Sequence, residues 1–166
     1  MSTFVLCIAE TAARAAGMLI RLRASGVPDG GLSVVCVDRT ADGASGPDPG
    51  PTLRAALAGV GAIESAAFAD VGRVAVCGPL TRPVVEHARR GDSVVRVFTA
   101  MAVPSVQGKR FELALKRGAV IMAACAENAE QLRKIAEIFE SHRARNIATA
   151  RDAGGSDSPP EPVVAG

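Results

Sequence analysis

The sequence predicts an α+β fold: a ferredoxin-like sandwich of two β-α-β repeats, with a helical insertion between the halves. Three observations point there. An apolar run of strand length, TFVLCIA at residues 3–9, precedes a segment of helical periodicity and a second apolar run, LSVVCV at residues 32–37. Near the other end, AVIMAA at residues 119–124 is again followed by an amphipathic segment. The two β-α pieces match at a constant offset of 117, so that Glu10-Thr11-Ala12 returns as Glu127-Asn128-Ala129. Phe4, Ala15, Met18, Leu19 and Leu22 fall on Ile121, Leu132, Ile135, Ala136 and Phe139, each apolar where a core residue is needed. Such a pseudo-twofold repeat suits a four-stranded sheet with helices on one face. A doubly wound parallel sheet would carry a glycine-rich phosphate loop after its first strand, where CIAETAAR stands instead.

The elements follow in order. In the first helix Ala15, Met18, Leu19 and Leu22 fall at helical spacing, Thr11 can cap its start, and Gly26 can end it in a left-handed conformation. VPDGG then turns the chain into the second strand. Residues 38–51, DRTADGASGPDPGP, have the composition of a surface linker. An Ala/Gly-rich insertion at 52–103 opens with a helical pattern, contains a short alternating stretch, RVAVCG, and closes with helices over 81–90 and 93–102. Pro104 starts a further helix in which Phe111 and Leu115 stack four residues apart and which Gly118 closes. The last helix spans about 128–142, with Asn128 and Gln131 at a variant of the capping-box spacing, and RNIATA supplies a fourth strand. Residues 1–150 therefore read as one domain with halves at 3–37 and 104–149. The tail from 151 to 166, with three prolines and no periodicity, reads as disordered.

Composition excludes several function classes. Nineteen Lys and Arg against 17 Asp and Glu leave a formal charge of +2. The densest basic stretch, residues 109–117, alternates with Phe111, Leu113 and Leu115 and reads as a solvated helix face. With no Tyr or Trp and five Phe, base stacking on exposed rings is not expected, and nucleic acid is not an expected partner. The four cysteines lie far apart without a C-x-x-C, and His87 and His142 have no ligand-like neighbours at metal spacing. No metal, no cofactor and no catalytic residue is expected. No signal peptide or membrane span is read from the chain, and a cytoplasmic location is expected.

Two sets of residues stand out as candidate sites. Cys125 lies at a strand-to-helix junction, where a helix N-terminus can lower a thiol pKa and support redox chemistry. The repeat argues the other way, because its equivalent in the first half is Ile8, an aliphatic core residue. Gly72, Gly78 and Pro79 could shape a backbone-lined ligand pocket, although glycine and proline also serve turns.

Three pieces taken together resemble the bacterial general-stress-protein family, also described as heat-induced or low-temperature-induced proteins. They are TFVLCIAETAARAAGMLIRLRASGVPDGGLSVVCV, LAGVGAIESAAFADVGRVAVCGPL with its closing Gly-Pro-Leu, and FELALKRGAVIMAACAENAEQLRKIAEIFESHRARNI. Phe111 stands where that family usually has Tyr, and Ala119 where a second Gly is usual. The resemblance implies a stress-associated cytosolic protein with a ferredoxin-like core and no assigned chemistry. The leading expectation is a non-enzymatic protein that self-associates. Its strands are apolar at consecutive positions, so both sheet faces should be covered, by the inserted helices or by a second subunit. The alternatives are a small-molecule-sensing module of ferredoxin-like type, and peripheral membrane contact through residues 53–80, which Glu64, Asp70 and Arg73 disfavour.

Overall fold

The computed structural model describes residues 3–38 and 49–151. Along the chain run β1 (Thr3–Ala9), α1 (Ala12–Ala24), β2 (Leu32–Val37), α2 (Pro51–Ala56), β3 (Ile63–Phe68) and β4 (Gly72–Cys77). They are followed by α3 (Thr81–Arg89), α4 (Val94–Ala100), α5 (Ser105–Lys116), β5 (Val120–Ala126), α6 (Ala129–Ser141) and β6 (Arg145–Arg151). The strands form one antiparallel sheet in the order β3-β4-β2-β5-β1-β6. The fold is therefore mixed α+β. Most of the linker and tail expectations, at 39–48 and 152–166, lie outside the described residues.

The near-continuous apolar strands follow from burial on both faces. Along β1 the pleat sends Phe4, Leu6 and Ile8 into one core and Val5, Cys7 and Ala9 into the other. The second core is closed by Met18, Leu19 and Leu22 of α1, Ile135 and Phe139 of α6, and Leu53 of α2. The first is closed by Val84 of α3, Val97 and Phe98 of α4, and Phe111 and Leu115 of α5. Phe98 and Phe111 meet with ring centroids 4.9 Å apart. The chain's own helices thus cover the face that a second subunit was one expected way to cover.

Local signals set the helix ends. Thr11 Oγ1 accepts from the Arg14 N–H at 3.1 Å, and Asn128 Oδ1 accepts from the Gln131 N–H at 2.8 Å. Gln131 Oε1 accepts in turn from the Glu127 N–H at 2.7 Å. The offset of 117 carries β1 onto β5 and α1 onto α6 with the same bounds. It does not carry β2 onto β6, because α6 joins its following strand through a tighter turn. There Arg143, at φ +61°, takes the left-handed position, and the Ala144 N–H donates to the Phe139 carbonyl.

Two expectations need correction. Among the described residues the sheet has six strands rather than four, and the inserted helices cover its second face, one of the two coverings expected. The insertion at 52–103 is also not simply helical: β3 and β4 form a hairpin that extends the sheet beyond β2. The large apolar side chains of residues 53–80, including Leu53, Leu57, Phe68, Val74, Val76 and Leu80, point into the two cores. Among the described residues, no helix is long and apolar enough to cross a membrane.

Candidate functional site

Cys125 is half-buried and unpaired by any disulfide, on the penultimate residue of β5. Its side chain packs against the core beneath α3, α4 and α5, whereas α6 lies on the other face through Ile135 and Phe139. The sheet lies between the thiol and the body of α6, the helix whose N-terminus could lower a thiol pKa. Ile8, its counterpart in the repeat, faces the same core. Cys7, Cys36 and Cys77 are buried, and desolvation pushes the Cys7 and Cys77 thiols up from their ordinary range, away from the reactive thiolate. Among the described residues, no three His, Cys, Asp or Glu side chains are grouped to hold a metal ion.

The structure does not bring Gly72, Gly78 and Pro79 together. Gly72 opens β4 and Gly78 follows its last residue, so a whole strand of roughly 20 Å lies between them. Gly78 and Pro79 line a shallow depression of about 310 Å³ with Gly61, Glu64 and Thr81. Gly78 has φ +91°, and a Cβ there would collide with the Leu32 carbonyl and come within 2.8 Å of Ser33 Cα. One turn of chain further on, the Leu80 N–H donates to Ser33 Oγ at 3.0 Å, satisfying the one polar residue that is buried among the described residues. Gly78 thus serves the close approach of this turn to β2.

A different concavity gathers the chemistry. At the end of the sheet where β1 stops and β6 begins, a cleft of about 400 Å³ opens under α5. Its floor is Ile8, Ala114 and Ala119, and Leu113 lies along it, 47% exposed. Arg110 projects from α5 and Arg117 from its C-cap, which keeps helical backbone angles, so the two lie seven residues apart on nearly the same face. Neither makes an ion pair among the described residues. The opposite wall carries Glu10, Arg145 and Asn146. There Glu10 holds Arg145 Nε at 3.0 Å through one carboxylate oxygen and lies 3.9 Å from Arg14 through the other.

Backbone irregularity places that wall. Between the pairs Leu6–Ala148 and Ile8–Arg145 the β1–β6 register shifts, leaving Asn146 and Ile147 opposite Cys7. Such a bulge re-aims side chains at a sheet edge. Asn146 sits at φ +53° within it, a conformation that Asn tolerates better than most residues. Its Nδ2 donates to the Gln107 carbonyl of α5 at 3.3 Å, which ties the bulged strand to the helix. Because a carbonyl can only accept, that bond fixes the amide orientation and leaves Oδ1 without a partner.

The sequence reading missed all five of these polar residues. In sequence the stretch at 109–117 has the pattern of a solvated helix face. Its usable signal was the seven-residue spacing of Arg110 and Arg117, with Ala114 between them on the buried side. A second concavity of about 470 Å³, between α1 and α6, mixes Arg21 and Lys134 with Glu137 and offers no comparable run of uncompensated charge. No family model, curated protein or solved structure matches the chain.

Proposed function

We propose that this chain is a non-enzymatic module that binds a small organic anion, in the manner of a ferredoxin-like sensing domain. The observation that carries the reading is the pair Arg110 and Arg117, which make no ion pair among the described residues, set over an apolar floor. Guanidinium groups stay protonated at any physiological pH, so they favour holding an anion over passing protons. The single carboxylate in the cleft, Glu10, is engaged with Arg145 and Arg14. An apolar concavity with a few converging polar groups is the usual form of a small-molecule site.

The ferredoxin-like part rests on the four adjacent strands β6-β1-β5-β2, crossed by α1 and α6 on one face, with β3, β4 and the intervening helices as an insertion. A stress-associated, cytoplasmic setting belongs to the proposal through the family resemblance alone. Self-association stands behind the ligand reading, because its motive was an uncovered sheet face and α3, α4 and α5 cover that face.

Thermal melting against a panel of small carboxylates and phosphate esters tests the reading. At least one compound should raise the melting temperature in proportion to the logarithm of its concentration, and the double variant R110A/R117A should lose that rise. A flat response of the wild-type protein across the panel would end the proposal.

A further inference from the structure

Resting on that reading, we infer that the ligand is a two-headed dianion, with two anionic groups separated by a short apolar spacer. Charge supplies the first reason. Of the three arginines in the cleft, Arg145 is held by Glu10 at 3.0 Å, which leaves two cations, Arg110 and Arg117, to be matched. Spacing supplies the second. Seven residues of α-helix set the two Cα atoms about 10 Å apart along α5. Leu113 and Ala114 lie between them, so this wall reads cation, apolar, cation. The complementary molecule reads anion, hydrocarbon, anion, its spacer lying over Ile8, Ala114 and Ala119. A compact anion would instead require both arginine side chains to fold inward over the exposed Leu113, while Arg145 on the opposite wall is engaged by Glu10.

The test is isothermal titration, at one ionic strength, of three probes. These are a straight-chain dicarboxylate with a spacer of a few methylenes, the monocarboxylate of equal chain length, and a phosphate monoester carrying the same total charge as the dicarboxylate. The dicarboxylate should bind about 10-fold more tightly than either of the others, the difference expected for one additional charge-assisted contact in a partly desolvated site. R110A and R117A, both at exposed positions, should each bring it down to the monocarboxylate's level, with the unliganded melting temperature unchanged. A monocarboxylate or phosphate ester binding as tightly as the dicarboxylate would overturn the two-headed ligand and leave anion binding standing. No heat from any probe, together with a flat melting panel, would overturn both.

Discussion

Among the described glycines, Gly78 is the one at which an added Cβ would run into main chain. Its φ of +91° and the Leu32 carbonyl standing where a Cβ would go leave no space for a methyl group. Gly78→Ala should cost about 2–4 kcal/mol, combining backbone strain with overpacking against main chain that cannot yield. Urea unfolding at constant m-value measures this, and a loss below about 1 kcal/mol would show that the turn can move away from β2. Glycine followed by proline announced a turn in the sequence. What the sequence could not announce was that Ser33, far back along the chain, would need the Leu80 N–H brought within hydrogen-bond reach.

The helices and strands differ in how openly they were written. Thr11 and Asn128 act within a few residues of themselves, so the starts of α1 and α6 were legible, as were the apolar stripes that follow. The β3–β4 hairpin was not. As the outermost strand β3 buries only Ala66 and Phe68, and a strand so rich in alanine leaves little contrast between its two faces. The cleft was hidden for another reason: its walls come from α5 and β6, which meet only through long-range packing. Its left-handed backbone at Asn146 also has no glycine to flag it. The hairpin makes a testable contact with the helical layer. Asp70, in the turn between β3 and β4, accepts from the Val94 N–H at the start of α4 and from its neighbour Val71. A side-chain hydrogen bond with Asp70 raises the Glu112 carboxyl on α5 above its ordinary value near 4.5, and desolvation and the Asp70 charge add to the rise while Lys109 and Lys116 oppose it. With the folded value raised, the native state binds more protons than the unfolded chain. The contact's contribution is therefore complete below about pH 4.5 and fades as pH rises through the folded value. Glu112→Gln, able to donate to Asp70 at every pH, should flatten this part of the profile and match or exceed the wild type at pH 7. Urea midpoints at pH 4, 5, 6 and 7 would decide it, and parallel profiles for the two proteins would refute the link.

Across the whole molecule the strand order sets the terms on which the chain can fold. Phe4 of β1 pairs with Cys125 on one side and Ala150 on the other, and β2 reaches β1 only through β5 between them. A chain ended after residue 118 should thus lack the central strand and show no cooperative urea transition by circular dichroism; a sharp transition would mean that β2, β3 and β4 hold a core by themselves. The physical reason is loop closure across nearly the full sequence, which has to be met before the central pairings form. While a ribosome is making this protein, β1 and β2 emerge early, apolar on both faces and with no strand yet made to lie between them. They stay in that condition until β5 is complete, long after the hairpin and its helices have left the exit tunnel. Dependence on chaperones during synthesis then follows from the order in which partners are made, and a well-packed finished protein gives no sign of it.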